Sequence, residues 1–202
     1  MANQTVPTKG NLIATKKSLE LARVGFDLLD RKRNILVREM MSLIDRASEI
    51  QNRIDSTYSS AYLALQKANI SLGICDELSS TVPVDNSVKL SYRSVMGVEI
   101  PIVSISDDNK LDVHFGLYSS NSMLDRAYLK FIEVKKLTTD LAEIENSVYR
   151  LANSIKKTQK RANALKNIII PRFEQTVKFI TDALEEKDRE EFSRLKIIKK
   201  RK

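Results

Sequence analysis

A chain of 202 residues that is 42% hydrophobic and 30% charged, with five glycines and no tryptophan, has the composition of a protein built from long helices. Its formal net charge of +8 suits nucleic acid, anionic lipid or an acidic protein cavity, and does not choose among them. The lone Cys75 excludes an internal disulfide and a multi-cysteine metal site, no run of about 18 apolar residues is present to span a bilayer, and the first ten residues lack the apolar core of a signal peptide, so a reduced, cytoplasmic setting is expected.

The first helix is predicted to begin near residues 9–12, with Thr8 after Pro7 as its N-cap, and to run without a proline to about residue 74. Along it Leu12, Leu19, Phe26, Arg33, Met40, Ala47, Ile54, Ala61 and Ala68 fall seven apart, with Ala22, Leu29, Leu36, Leu43, Ile50 and Ala64 interleaved. A seam this narrow belongs to a coiled coil, because a helix packed in a globular core shows a wider apolar face. Sixty-odd residues at a rise of about 1.5 Å give an arm of roughly 100 Å. Gly25 inside the helix is either tolerated or a point of close approach, and the alanines at 61, 64 and 68 let a partner backbone come near.

In the middle segment the period drops to two. Val88, Leu90 and Tyr92 alternate with Lys89, Ser91 and Arg93; Val98, Ile100 and Ile102 alternate with Glu99 and Pro101. This predicts a hairpin over 88–104, turned at Met96 and Gly97 with Gly97 in the left-handed region, and Pro101 confines the second strand to an edge or a bulge. An isolated hairpin is marginal in water, so it must lean on the coiled coil or on another protein. A third short strand is expected over 111–117.

The polar cluster at 119–122, with Ser122 and Asp125 spaced as a capping box, opens the second long helix. Its seam is Ala127, Val134, Leu141, Val148, Ile155, Ala162, Ile169, Thr176 and Ala183, with Leu137, Ile144, Leu151, Leu165 and Phe179 between. Near Pro171 the stripe moves to Phe173, Val177, Ile180 and Leu184, as if four residues had been inserted. That stutter predicts a locally straightened supercoil and a mild kink; the alternative is a helix that ends at Ile170 and a new one after it. Two seams of equal length predict an antiparallel pairing in which facing residue numbers sum to about 195, so that Ala47 meets the Val148 region. Arg33, Thr57 and Thr158 are then polar seam positions that fix register. The predicted fold is all-α dominated: a long antiparallel two-helix coiled coil from segments 1–76 and 119–202, with a hairpin insertion inside 77–118.

Chemistry-bearing motifs are sparse. No closely spaced glycines open a helix to cradle phosphate, His114 is the single histidine and lies in the strand-like segment, and Cys75 reads as a small packing residue. No active site, metal or directly bound cofactor is expected.

The runs Pro7-Thr8-Lys9-Gly10-Asn11-Leu12, Lys156-Lys157-Thr158-Gln159-Lys160-Arg161-Ala162-Asn163-Ala164-Leu165 leading to Ile170-Pro171, and EEKDREEFSRLK at 185–196 resemble the D subunit of V/A-type rotary ATPases over nearly the whole chain. The resemblance implies a non-catalytic central rotor shaft with both termini pointing into a ring of catalytic and regulatory stator subunits, which bind the ATP and ADP. It also implies a small central-stalk partner, the F subunit, at its side and, at the opposite end, a subunit linking it to the membrane rotor ring. The location would be cytoplasmic, reaching the membrane only indirectly. On that basis Lys9, Arg161, Arg172, Phe192, Leu195 and Ile198 are expected to meet the stator ring, and Tyr92, Arg93, Met96, Val98 and Ile100 to serve hairpin docking or regulation. Two other classes compete: a basic coiled-coil adaptor for nucleic acid or other proteins, and an enzyme. The adaptor would concentrate its lysines and arginines on one face with interleaved aromatics, whereas here they are spread and mixed with acids, and no nucleic acid is expected.

Overall fold

The computed structural model describes residues 6–74, 78, 80–84, 86–105, 116 and 120–200. Cys75, His114 and, Gly116 apart, the expected third strand at 111–117 lie outside the described residues. The elements in chain order are α1 (Lys9–Leu72), β1 (Val88–Val95), β2 (Val98–Ile105), α2 (Ser122–Ala164), a π-helical turn (Leu165–Ile169) and α3 (Ile170–Lys200). They form two compact units: a first, Met1–Asn34 with Ile155–Lys202, and a second, Ile35–Ser154. Each unit takes a part of both long helices.

The helix ends follow from local chemistry. The Asn11 amide donates to Thr8 Oγ1 at 3.2 Å, so Thr8 is the N-cap that the sequence predicts. α1 stops at Leu72 because Gly73 adopts φ 82°, and its amide returns to the Asn69 carbonyl at 2.9 Å, a left-handed C-terminal stop. At the start of α2 the capping box does not form. The Asn121 carbonyl receives the Leu124 amide at 2.8 Å, which makes Ser122 the first helical residue, one position too late to cap.

In the second unit, Leu36, Leu43, Ile54, Ala61 and Ala68 of α1 are buried with Leu124, Ala127, Val134, Leu137, Ile144 and Leu151 of α2. Across the helices the Tyr58 hydroxyl and Thr138 Oγ1 are 3.2 Å apart, and the Tyr62 ring meets Phe131 edge-on at 5.7 Å. These pairs run antiparallel, with residue numbers summing to 196 and 193. Thr57 does not fix register by hydrogen bonding, because its hydroxyl donates to the Arg53 carbonyl of its own helix at 2.8 Å. Ser147 is buried beside Ile144 and Leu151, and its hydroxyl is likewise satisfied by the Glu143 carbonyl at 2.7 Å.

In the first unit Ala22, Ala162, Thr158 and Ile180 are buried. Arg33 spans the seam: its guanidinium donates to Gln159 Oε1 at 3.0 Å and pairs with Asp30 at 2.7 Å, so this polar position does lock register. Arg23 meets Glu174 at 2.6 Å, and Lys166 lies 5.8 Å from the Phe26 ring centre. A Cβ built on Gly25 would sit 3.8 Å from Leu165, an ordinary contact, so the glycine is tolerated and not required for close approach.

Pro171 neither ends the helix nor brings a four-residue stutter. The Ile170 amide bonds to the Leu165 carbonyl, five residues back, and one extra residue is absorbed in a π turn. Proline lacks the N–H that would continue the ladder, and its ring clashes with the carbonyl four residues back; a widened turn just before it relieves that clash. The phase advances by one residue. Ile169 and Phe179, in step with the original heptads, are exposed at 37% and 56%, while Ile180 is fully buried.

Candidate partner-binding surfaces

The hairpin of the second unit is built outward from its turn. Met96 and Gly97 have φ of 51° and 76°, the two left-handed residues of a type I′ connection, and pair Val95 with Val98. A methionine in that region is uncommon, since an L side chain there costs on the order of 1 kcal/mol. From this turn, Glu99, Pro101 and Val103 fall on non-hydrogen-bonded pairs, so their backbone groups point away from β1.

That outer edge is held by α2. Glu143 Oε2 accepts the Val103 amide at 2.6 Å and Arg150 Nη1 donates to the Glu99 carbonyl at 3.2 Å. Pro101, between them, has no N–H to satisfy, which explains a proline on this strand better than a bulge does. Arg150 also lies 5.6 Å from the Tyr92 ring centre, and Arg93 pairs with Glu39 of α1 at 2.7 Å. Thus the hairpin leans on its own helices. Ile100 is buried and Arg93 is ion-paired within the unit, Val98 is half-buried, and Met96 and Tyr92 remain exposed.

The helical residues that hold the hairpin, Glu39, Glu143 and Arg150, were not among the expected site residues. A signal existed: Glu143 and Arg150 are seven apart, hence on one helix face, and offer one acceptor and one donor, as a strand edge requires.

The other expected group lies in the first unit. Lys9 opens α1, Arg161 stands in the last turn of α2 and Arg172 directly follows Pro171; all three are exposed. Phe192, Leu195, Ile197 and Ile198 are exposed at 58–69% on α3, interleaved with Lys196, Lys199 and Lys200. Every described residue from 185 to 200 is exposed. The stretch is supported along its own axis by Arg189–Glu185 at 3.7 Å and Arg194–Glu190 at 3.6 Å, pairs worth only about 0.2–0.5 kcal/mol each. Four large apolar side chains thus lie within seven residues, none of them buried.

Among the described residues, no three or more His, Cys, Asp or Glu side chains are placed to hold a metal ion, and no helix is long and apolar enough to cross a membrane.

Comparison with known proteins identifies the family. The family model described as the ATP synthase D subunit matches residues 11–200. The V-type ATP synthase D subunit of Thermotoga neapolitana is 47% identical over 197 residues, covering 96% of this chain and 97% of its own. The A-type ATP synthase D subunit of Thermococcus kodakarensis is 38% identical over 96% of this chain and 92% of its own, and that of Methanosphaera stadtmanae 35% identical over 99% and 97%. With a family model spanning nearly the whole chain and relatives matched end to end, the chain belongs to the family of V/A-type ATP synthase D subunits, non-catalytic members of a larger complex.

Proposed function

We propose that this chain is the central rotor shaft of its ATP synthase complex, carrying torque between a ring of nucleotide-binding stator subunits and an ion-translocating membrane rotor. The observation that carries the reading is the seam: in each unit two antiparallel helices bury side chains against each other and are tied across by polar contacts, Tyr58 to Thr138 in the second and Arg33 to Gln159 in the first. An element that transmits torque must resist twisting, and knobs-into-holes packing with fixed register does so because slipping by one residue would rotate the whole apolar row out of the seam. Nucleotide is held by the ring subunits. The shaft's orientation biases their sites, and their occupancy biases the orientation in return.

The exposed stretch with Phe192, Leu195 and Ile198, together with Lys9, Arg161 and Arg172, then serves as the bearing against the ring. A small stalk subunit and a subunit linking the shaft to the membrane rotor complete the partners, and the hairpin, through Met96 and Tyr92, serves docking or regulation. The test is truncation after Leu184. The melting temperature of the isolated chain is expected to change by no more than a few degrees, because residues 185–200 bury nothing, whereas assembly with the ring or ATP-driven rotation falls several-fold. A large loss of stability with assembly and rotation unchanged would show a structural tail and sink the bearing.

A further inference from the structure

At the end of the second unit where α1 stops and α2 begins, the seam side chains are small: Ala61, Ala68 and Ala127 are all buried. The two sides of this stretch differ. On one, Tyr58, Tyr62 and Phe131 form a run of ring contacts, with centroids 6.1 and 5.7 Å apart. On the other, the helices leave an open trough of about 440 Å³, lined by Ser59, Ser60, Leu63 and Lys67 of α1 and by Met123, Arg126 and Lys130 of α2.

Its chemistry is one-sided. Lys130 pairs with Glu133 at 3.0 Å, but Lys67 and Arg126 make no hydrogen bond or ion pair to the described residues, and no carboxylate among the described residues lines the trough. Leu63 and Met123 expose apolar surface within the same trough. Two cations without a partner among the described residues, beside three serine hydroxyls (Ser56, Ser59 and Ser60), would suit any oxyanion. The adjoining apolar side chains favour a protein segment over a phosphate group, since a phosphate would leave them uncovered.

We propose that this trough docks an acidic segment of another subunit of the complex, with an apolar side chain seated on Leu63 and Met123 and flanking carboxylates taken by Arg126 and Lys67. Arg126 presents a planar fork that accepts a carboxylate bidentately, while Lys67 supplies a point charge. The inference rests on the shaft reading only in drawing the partner from the same complex.

The experiment places a photo-crosslinking residue in the trough, Ser60→p-benzoylphenylalanine, and another on the aromatic side, Tyr58→p-benzoylphenylalanine, each in the full chain assembled into its complex. Mass spectrometry of the Ser60 adduct is expected to identify a peptide of another subunit with at least two Asp or Glu residues around an apolar one. Combining Lys67→Glu and Arg126→Glu should lower the Ser60 adduct at least tenfold, Arg126→Lys much less, and neither should change the Tyr58 adduct. If charge reversal blocks assembly, salt supplies the same test on unreversed chains: raising it from about 50 mM to about 500 mM shortens the screening length and should cut the Ser60 adduct several-fold but not that of Tyr58. An adduct on lipid, an adduct on a peptide without acidic residues, or a yield indifferent to charge and salt would overturn the proposal. The shaft reading fails on rotation and this one on the identity and charge dependence of an adduct, so the two failures are separable.

Discussion

The two compact units obey the same heptad rule with different outcomes. In the second unit both helices are uninterrupted, and burial follows the 3-4 spacing from Leu36 to Ala68 and from Leu124 to Leu151. In the first, the rule is broken twice: at Pro171, where one inserted residue moves burial from Phe179 to Ile180, and beyond Leu184, where no described residue is buried although apolar side chains continue. Apolar spacing states which residues can be buried together. Whether they are depends on an unbroken ladder and on a facing helix.

The sharpest way to break this comparison is to delete one residue from each unit. Removing exposed Asp140 from the regular part of α2 rotates Leu124–Leu137 against Ile144–Leu151 by about 100°. It is expected to cost more than about 5 kcal/mol or abolish cooperative unfolding, as measured by circular dichroism in urea. Removing exposed Ile168 together with Pro171→Ala should instead turn the π turn into ordinary α-helix with both flanking phases kept, and stability should stay within about 1 kcal/mol of the parent. Equal damage from both would show that the π turn is not a single-residue insertion.

Side-chain truncation gives the next largest effect. Leu36→Ala and Ile180→Ala, each at a fully buried site in a different unit, should each cost about 2–5 kcal/mol, while Phe192→Ala on exposed α3 should stay within about 0.5 kcal/mol. A Phe192 cost near that of Leu36 would mean the tail has a structural partner within the chain.

Smaller and local effects are expected at the hairpin. Replacing residues 89–104 with a short linker should leave the helical melt largely intact, because the seams do not use them. Arg150→Ala should speed amide exchange within β1 and β2 while leaving the exchange of α1 seam amides unchanged. Loss of the whole melt on hairpin removal would make it part of the core.

The smallest effects are backbone ones and separate the units cleanly. Met96→Asn in the second unit and Gly25→Ala in the first are each expected to stabilise by about 0.5–1 kcal/mol in chemical denaturation. The former relieves a left-handed methionine, and the latter restrains the unfolded chain where a Cβ has room. A destabilising Gly25→Ala would indicate that the neighbouring Leu165 cannot accept even an ordinary contact.

Periodicity alone determined both helices, their seams, the antiparallel register and the hairpin with its turn, because a one-residue slip exposes a whole face and the pattern tolerates no second solution. Observed cross-helix pairs sum to between 192 and 197, close to the 195 read from the seams. The Thr8 cap and the i,i+4 pairs of α3 were equally legible, being local in sequence. Tertiary structure decided what local pattern leaves degenerate. A phase shift at Pro171 can be written as four residues inserted or as one, and only the bond from Ile170 to Leu165 selects the single residue. Which edge of a two-stranded sheet is covered depends on where a distant helix places Glu143 and Arg150. The basic trough beside Ala61 and Ala68 arises because small seam residues bring two backbones together, which places Arg126 and Lys67, remote in sequence, along one groove.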